Sequence, residues 1–304
     1  MKNFIEYFYN LHIDKIEHNN DNYFFYYRNN LYRLYLYENN INLNILYNLN
    51  QQMIKNTSVS KIILNKDNSI LSKYKNDLYI LIKIRINNNK DIQLNDILKI
   101  IYSSSFINMK GFNNWGNLWA KKIDYLENLI KENGIKYPLL VDSFNYFVGL
   151  AENAISYFNS IELTGNYKIT ICHRRIKLKD SLEDLYNPLN LTYDYRVRDI
   201  AEYIKFSFFI NNNNIFKELE DYFNKNNLSI EEIKLLISRI LYPSFYFNLY
   251  DDILIYKKNE KILLNIISRL DEYENYLDKI INTLANKYNI EPILWIKKNY
   301  NFLL

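Results

Sequence analysis

The segment ICHRRIKLKD, residues 171–180, concentrates side chains that could do chemistry. It holds the only cysteine of the chain, Cys172, followed by His173, Arg174 and Arg175. Histidine exchanges protons near neutral pH, whereas arginine stays protonated and has no acceptor atom. Arg175 therefore cannot act as a general base. We expect His173 to be packed and bonded to backbone and the cations to form a solvated face, with an anion site as the alternative.

Three carboxylates, one at the end of this segment and two after it, could hold a cation. They are Asp180, Asp184 and Asp194, and carboxylate oxygens are the ligands that Mg²⁺ prefers. We expect no metal site but keep Asp180 and Asp194 as residual candidates. The single cysteine excludes an intramolecular disulfide, and we expect it to be a buried small residue rather than a nucleophile.

The composition is that of an ordinary globular chain with a strong codon bias. Of 304 residues, 48% are hydrophobic and 24% charged, with 30 tyrosines but only 5 glycines and 4 prolines. The abundance of Asn, Lys, Ile, Tyr and Phe indicates a low-GC bacterium. The net charge of +4 is scattered, so we expect no nucleic-acid partner. Neither a signal peptide nor a membrane span is expected, because no long apolar run occurs.

The first third of the chain predicts a small strand-rich region. After a short amphipathic segment, the runs NYFFYYRN and LYRLYLYE predict two strands joined by a turn at Asn29-Asn30. A helix is predicted over 41–55, and VSKIIL and DLYILIKIRI predict two more strands. The apolar face predicted for the helix consists of residues spaced by four: Ile41, Ile45, Leu49 and Met53.

Beyond a predicted hinge near residues 87–91, the pattern becomes helical. We therefore predict a strand-rich lobe over 1–88 and a helical lobe over 89–304. Ser229 and Glu232 form a capping box, a long helix is predicted over about 259–285, and Pro292 begins the last helix. Two of the predicted apolar stripes are Trp115, Leu118, Trp119, Lys122, Ile123, Leu126 and Ile130, and Val197, Ile200, Ala201, Ile204 and Phe208.

Three motifs carry a resemblance to a known family. They are WGNLWAKKIDYLENL (115–129), YFVGLAENAISYF (146–158) and YDYRVRDIAEYIK (193–205). With them the chain resembles the spore-coat-associated proteins of the CotS and YutH kind. That resemblance implies an α+β fold, the bilobal protein-kinase-like fold of aminoglycoside phosphotransferases, with a small antiparallel β lobe and a large helical lobe.

The resemblance also implies nucleotide-binding parts, which this chain lacks. The phosphate-covering loop would fall near residues 17–22, yet the first glycine of the chain is Gly111. The strand lysine that pairs with the phosphates is replaced by Arg33, a poor substitute for a point charge. The following helix, 41–55, contains no acidic residue to pair with that cation.

The catalytic loop implied by the resemblance has lost its base. His173, Arg174 and Arg175 occupy the place of His-x-Asp, and Asp180 stands where a metal-binding asparagine is usual. The metal aspartate would be Asn190 or Asp194. We therefore expect no catalytic residue and no cofactor.

The resemblance further implies that Asp199 is a structural anchor. In kinase-like folds an aspartate that opens the helix after the catalytic segment typically holds the loop backbone. We predict that Asp199 accepts hydrogen bonds from N–H groups of residues 172–176.

We therefore expect a catalytically degenerate kinase-like protein, a pseudokinase, that is a spore-coat-associated binding or assembly component. Its partners would be other proteins of the spore coat, and its location the cytoplasm or the spore coat. One alternative is an active ATP-dependent small-molecule phosphotransferase with a rearranged metal site, which would use ATP and Mg²⁺. Another is an anion- or peptide-binding module in the vestigial cleft.

Overall fold

The computed structural model describes residues 1–19, 22–37, 42–86, 90–103, 114–178, 180–291 and 293. These residues form two compact units, one drawn from 1–106 and 170–194 and the other from 107–169 and 195–304. The strands are β1 (Glu17–Asn19), β2 (Asn22–Tyr27), β3 (Asn30–Leu36), β4 (Lys61–Ile63), β5 (Leu71–Tyr74), β6 (Asp77–Lys83), β7 (Ile169–His173) and β8 (Leu191–Tyr195). The helices are α1 (Lys2–Tyr9), α2 (Leu43–Met53), α3 (Leu94–Ser103), α4 (Trp115–Asn133), α5 (Pro138–Asn159), α6 (Leu182–Leu185), α7 (Arg198–Phe209), α8 (Ile215–Lys225), α9 (Ile230–Leu241), α10 (Ser244–Leu254), α11 (Leu264–Ile267) and α12 (Leu270–Tyr288).

The first unit is built on an antiparallel sheet, as predicted. Its strand order is β1-β2-β3-β6-β4, and β5 also pairs with β6. The β2–β3 turn is formed by Arg28 and Asn29, whose φ angles of 46° and 59° are both positive, as a tight hairpin turn requires. The predicted turn at Asn29-Asn30 is therefore one residue late, because Asn30 already pairs with Tyr27.

The two faces of this sheet pack against different helices. Tyr32 and Leu34 of β3 belong to one apolar cluster together with Phe4 and Ile5 of α1. The alternate residues of β3 face the opposite side, where a second cluster is made by Leu31, Leu46, Ile62, Ile80, Ile82 and Ile84, with Leu189 and Tyr35 packed against it. Arg33 shares the face of this second cluster.

Helix α2 is present, but its predicted face is partly wrong. Its buried residues are Leu46, Leu49, Asn50 and Met53, whereas Ile45 is 45% exposed. A strict spacing of four residues drifts around a helix with 3.6 residues per turn, so the i, i+3, i+4, i+7 pattern determines the buried face. Ile41 lies outside the described residues.

A buried amide fastens α2 to the sheet. Asn50 Nδ2 donates to the carbonyl of Ser60 at 2.7 Å, and Asn50 Oδ1 accepts from the N–H of Ile62 at 3.0 Å. These are backbone groups at β4, a strand at the end of the sheet order. Asn50 thus takes the place that a neighbouring strand would have.

Local signals succeeded for several helices of the second unit. The capping box of Ser229 and Glu232 opens α9, as predicted. The residues of the stripe predicted for α7 are all buried: Val197, Ile200, Ala201, Ile204 and Phe208. Every residue from Asp199 to Phe208 is buried as well, so burial does not single out this face of the helix.

Other local predictions were wrong. Leu118 of α4 is 54% exposed instead of buried. The predicted helix over 259–285 is interrupted, because a 3₁₀ turn (Glu260–Leu263), α11 and α12 follow one another there. Strand β5 was not predicted.

The division into lobes over 1–88 and 89–304 stays a prediction. The first compact unit is drawn differently, because it contains α3 and residues 170–194 together with the sheet. Residues 87–89 of the predicted hinge lie outside the described part of the chain, as do Gly111 and Pro292.

None of the helices in the described ranges is both long and apolar enough to cross a membrane.

Candidate functional site

Arg33, on β3, forms a two-pronged ion pair with Glu183 of α6. Arg33 Nη1 lies 2.5 Å from Glu183 Oε1, and Nη2 donates to Oε2 at 3.2 Å. The Glu183 side chain is 9% exposed and that of Arg33 is 34% exposed. Burial raises the pKa of Glu183, while the charge of Arg33 and its hydrogen bond oppose that rise. The cation at the predicted nucleotide-lysine position is therefore neutralised by a carboxylate 150 residues further along the chain.

Short backbone contacts hold α6 opposite the sheet. The N–H of Leu182 donates to the carbonyl of Lys90 at 3.0 Å, and the carbonyl of Tyr186 accepts from the N–H of Ser60 at 2.9 Å. Asp184 accepts hydrogen bonds from the N–H and hydroxyl of Ser181, each at 2.9 Å, and so caps this short helix. These contacts fix the backbone of Glu183 independently of its side chain.

The loop at 173–175 is held by Asn190. The Asn190 side chain accepts from the N–H of Arg175 at 3.0 Å and donates to the carbonyl of Arg175 at 2.6 Å. The Asn190 carbonyl accepts from the N–H of Arg174 at 2.7 Å. Asn190, a candidate for the metal position, thus makes a structural contact, and Arg175 is exposed.

His173 has the contact that the packed-histidine interpretation predicts. It ends β7 with 1% of its surface exposed, and Nε2 lies 2.8 Å from the carbonyl oxygen of Leu185. Cys172 is completely buried, and its Sγ lies 3.8 Å from the carbonyl oxygen of Asp194. A buried thiol of this kind is poorly placed to act as a nucleophile.

The candidate metal ligands have separate local tasks. Asp180 Oδ2 accepts from the N–H of Lys177 at 2.7 Å, and burial raises the pKa of Asp180 to about 6. Asp184 caps α6, and Asp194 is completely buried in β8. Within the described ranges no group of three or more His, Cys, Asp or Glu side chains is arranged to hold a metal ion. That this chain holds neither Mg²⁺ nor a nucleotide stays a prediction.

Asp199 lies in the first turn of α7 and is completely buried. Its position fits a structural role, and its predicted role as an anchor for the loop at 172–176 stays a prediction.

Sequence reasoning missed a buried charge cluster in the second unit. Glu202 Oε1 accepts from Lys205 Nζ at 3.1 Å and from Arg239 Nε at 2.7 Å, while Oε2 accepts from the Ser244 hydroxyl at 2.7 Å. Lys205 also donates to the carbonyl of Tyr242 at 2.9 Å. The only local signal was the Glu–Lys pair at i, i+3 in α7.

The fold is that of the aminoglycoside phosphotransferases, a kinase-like class. The structure is similar to the crystal structure of an aminoglycoside phosphotransferase from Alicyclobacillus acidocaldarius, with a TM-score of 0.61 and 10% identity over 91% of this chain and 93% of that one. It is also similar to the spectinomycin phosphotransferase APH(9)-Ia in complex with ADP and spectinomycin, with a TM-score of 0.57 and 12% identity over 91% of this chain and 92% of that one. Identities this low show the fold alone.

The family follows from the sequence match. Residues 2–281 match the family described as "Spore coat putative kinase YutH", and the chain belongs to that family. It is also 30% identical over 208 residues to the endospore coat-associated protein YutH of Bacillus subtilis strain 168. That match spans 60% of this chain and 61% of the relative. The resemblance seen in the sequence motifs is thereby confirmed.

Proposed function

We propose that this protein is a catalytically inactive kinase-like component of the spore coat that acts by binding other coat proteins. The observation that carries the catalytic part is the ion pair of Arg33 with Glu183. The Arg33 guanidinium is already bound end-on by Glu183, and arginine does not offer a phosphate the compact point charge of a lysine. This supports the proposal that the position does not bind a nucleotide as a kinase lysine does.

The loop supports the same conclusion. Arg175, at the position of the base, cannot accept a proton from a substrate hydroxyl. The N–H and the carbonyl of Arg175 are both bonded to the side chain of Asn190. Leu189, which follows α6, packs on the apolar sheet face that Arg33 shares. This packing supports a structural role for Leu189 on the sheet.

The coat part of the proposal rests on the family and on its curated relative. That relative is described as associated with the endospore coat, and the family match extends over residues 2–281. Coat association is a binding role, which the chain can perform without a general base.

Thermal unfolding of the full chain with ATP, in the presence and absence of Mg²⁺, tests the catalytic part. A ligand at 100 times its Kd stabilises a protein by about 2.7 kcal/mol, which corresponds to a rise of several degrees in Tm. We expect no rise at millimolar Mg-ATP and no phosphoryl transfer. Micromolar affinity in calorimetry, or ATP turnover that Asp194→Ala abolishes, would contradict the proposal.

A fluorescent fusion expressed in sporulating Bacillus subtilis tests the coat part. We expect fluorescence at the spore surface, with the fluorescent protein alone as the control. A folded fusion that stays diffuse in the mother cell would contradict the assignment to the coat.

One observation favours a second candidate, an ATP-dependent phosphotransferase with a rearranged site. Burial raises the pKa of Asp180 to about 6, and neighbouring Asp184 adds to that rise. Shifted carboxylates of this kind are common at catalytic sites. Under this candidate Mg-ATP would bind, and Asp180→Asn would weaken that binding.

A further inference from the structure

Two helices of the second unit, α8 and α12, contact each other at two separate levels. At the first level Lys279 Nζ lies 4.4 Å from the centre of the Phe216 ring. At the second level Lys287 Nζ donates to Asn224 Oδ1 at 2.7 Å. Because the residue numbers rise together on both helices, α8 and α12 run side by side in the same direction for about two turns between these contacts.

A cavity of about 400 Å³ lies between the two helices. Its apolar lining consists of Phe216, Leu219 and Phe223 from α8 and of Ile280 and Leu284 from α12. These residues recur at helical spacing, so each helix presents one apolar stripe to the cavity. Sites for small molecules are concave, mostly apolar and supplied with a few polar groups that orient the ligand. This cavity has the size and the lining of such a site.

The charged groups around the cavity favour an anion. Lys217, Glu220 and Lys287 line it, and Lys279 lies over the lining ring of Phe216. Three ammonium groups thus accompany one carboxylate. Lys217 and Lys279 lie at the Phe216 end, whereas Lys287 lies at the opposite end. An apolar body with an anionic head at the Phe216 end matches this distribution of charge.

We propose that the cavity between α8 and α12 binds an anionic amphiphile, a molecule with an unbranched hydrocarbon chain and a carboxylate or phosphate head. The hydrocarbon chain occupies the apolar lining, because its removal from water is favourable. The head group lies between Lys217 and Lys279. The site shares no residue with the segment 171–194 or with Arg33, so it goes beyond the proposed function and does not depend on nucleotide binding.

The experiment is calorimetry and thermal unfolding of the full chain with dodecanoate below its micellar concentration. Dodecyl phosphate carries the other head group, acetate supplies a head without the chain, and dodecyl maltoside supplies the chain without a charge. We expect saturable binding of the two anionic amphiphiles with a rise in Tm, and no response to acetate. Dodecyl maltoside should bind about tenfold more weakly, since it lacks the charge-assisted hydrogen bond. Equal binding of the maltoside would overturn the assignment to an anion.

Thr283→Trp tests the location of the site. Thr283 lines the cavity and is exposed, so a large ring can block the entrance without entering the core. Asn275→Trp is the matched control, because Asn275 is an exposed residue of α12 that does not line the cavity. We expect Thr283→Trp to abolish the binding of dodecanoate and Asn275→Trp to retain it.

Lys217→Gln tests the head group and keeps the inference testable if Thr283→Trp does not fold. It should weaken the binding of dodecanoate about tenfold and leave that of dodecyl maltoside unchanged, whereas Lys121→Gln, at an exposed lysine of α4, should change neither. The inference is overturned if wild type binds neither anionic amphiphile, or if binding survives Thr283→Trp. Self-association that Thr283→Trp abolishes and dodecanoate does not reverse would assign the cavity to a second copy of the chain, which also overturns it.

Discussion

Two carboxylates, one in each unit, have pKa values that are shifted in opposite directions, although burial acts to raise both. Burial raises the pKa of Asp180 to about 6, and the backbone N–H of Lys177 only partly offsets it. Burial acts in the same direction on Glu202, but Lys205 and Arg239 outweigh it and hold the pKa at about 2. The difference lies in the number of cations and donors that each carboxylate contacts.

This comparison separates a stabilising charge from a costly one. Glu202 accepts hydrogen bonds from two cations and a hydroxyl, and these contacts favour the ionised carboxylate in the folded protein. Asp180 lies near Asp184, a second negative charge. The charge of Asp180, in the first unit, therefore lowers the stability of the folded chain. The charge of Glu202, in the second unit, raises it, because Glu202 is paired with two cations.

The largest effect is expected from Glu202→Gln. This change leaves Lys205 and Arg239 buried without their counter-ion, and removal of one partner from a buried ion pair typically costs about 3–5 kcal/mol. Urea unfolding at pH 7 measures the loss. Glu272→Gln is the control, since its pair with Arg269 is 65% exposed on the glutamate side and should contribute less than about 1 kcal/mol. Near-equal losses of unfolding free energy in the two variants would contradict the stabilising role of the buried Glu202 charge.

The same carboxylate should give stability a defined pH dependence. The pKa of Glu202 is lowered from 4.5 to about 2, so its contribution is complete above pH 4.5 and is lost as the pH falls toward 2. Lys205 contributes a second pH dependence, because burial lowers its pKa from 10.5 to about 8. Between pH 8 and 10.5 the unfolded chain therefore binds more protons than the folded chain, and the free energy of unfolding rises with pH over that range. The difference in unfolding free energy between wild type and Glu202→Gln should therefore shrink below pH 4.5. A constant difference down to pH 2 would contradict this.

Asn190→Ala should lower stability by about 2 kcal/mol, because its side chain makes two hydrogen bonds to the backbone of Arg175 at about 1 kcal/mol each. Arg175→Ala should change stability by less than about 0.5 kcal/mol, because that side chain is exposed. Chemical denaturation of both variants measures the contrast. Equal losses would mean that the arginine side chain, and not its backbone, holds the loop.

The smallest effect is a gain. Asp180→Asn keeps an acceptor for the N–H of Lys177 and removes a charge that burial disfavours, so we expect about 1 kcal/mol of added stability at pH 7. Because the pKa of Asp180 is raised, wild type loses stability as the pH rises toward 6, and the advantage of the variant should grow over that range. Asp184→Asn removes the same charge but weakens the cap of α6, and it should not stabilise. A Tm for Asp180→Asn below that of wild type would refute the assignment.

Much of the fold could be predicted because its signals are local. The β2–β3 hairpin and the capping box of α9 depend on residues a few positions apart. The interruption of the predicted helix over 259–285 is not marked by a proline or glycine in the sequence. Strand β5 is only four residues long, too short for a clear pattern. Packing against other elements determined both, and such packing leaves no periodic mark in the sequence.

At the candidate site the sequence predicts losses but not replacements. The expectation that Arg33 and Arg175 are unsuited to phosphate binding and to proton transfer follows from residue type alone and stays a prediction. The pairing of Arg33 with Glu183 joins residues 150 positions apart, and no local pattern connects them. The contact of Asn190 with Arg175 is likewise created by the β7–β8 connection rather than by a motif.

The amide of Asn50 has a consequence for the substitutions that α2 can accept. The positions of α2 that face the sheet are Leu46, Leu49, Asn50 and Met53, each 0–1% exposed, and Asn50 already serves two backbone groups of β4. A glutamate introduced on that face would have to be buried without a counter-ion, since Arg33 is held by Glu183. A single substitution that places a glutamate on this face should therefore lower the free energy of unfolding of the whole chain.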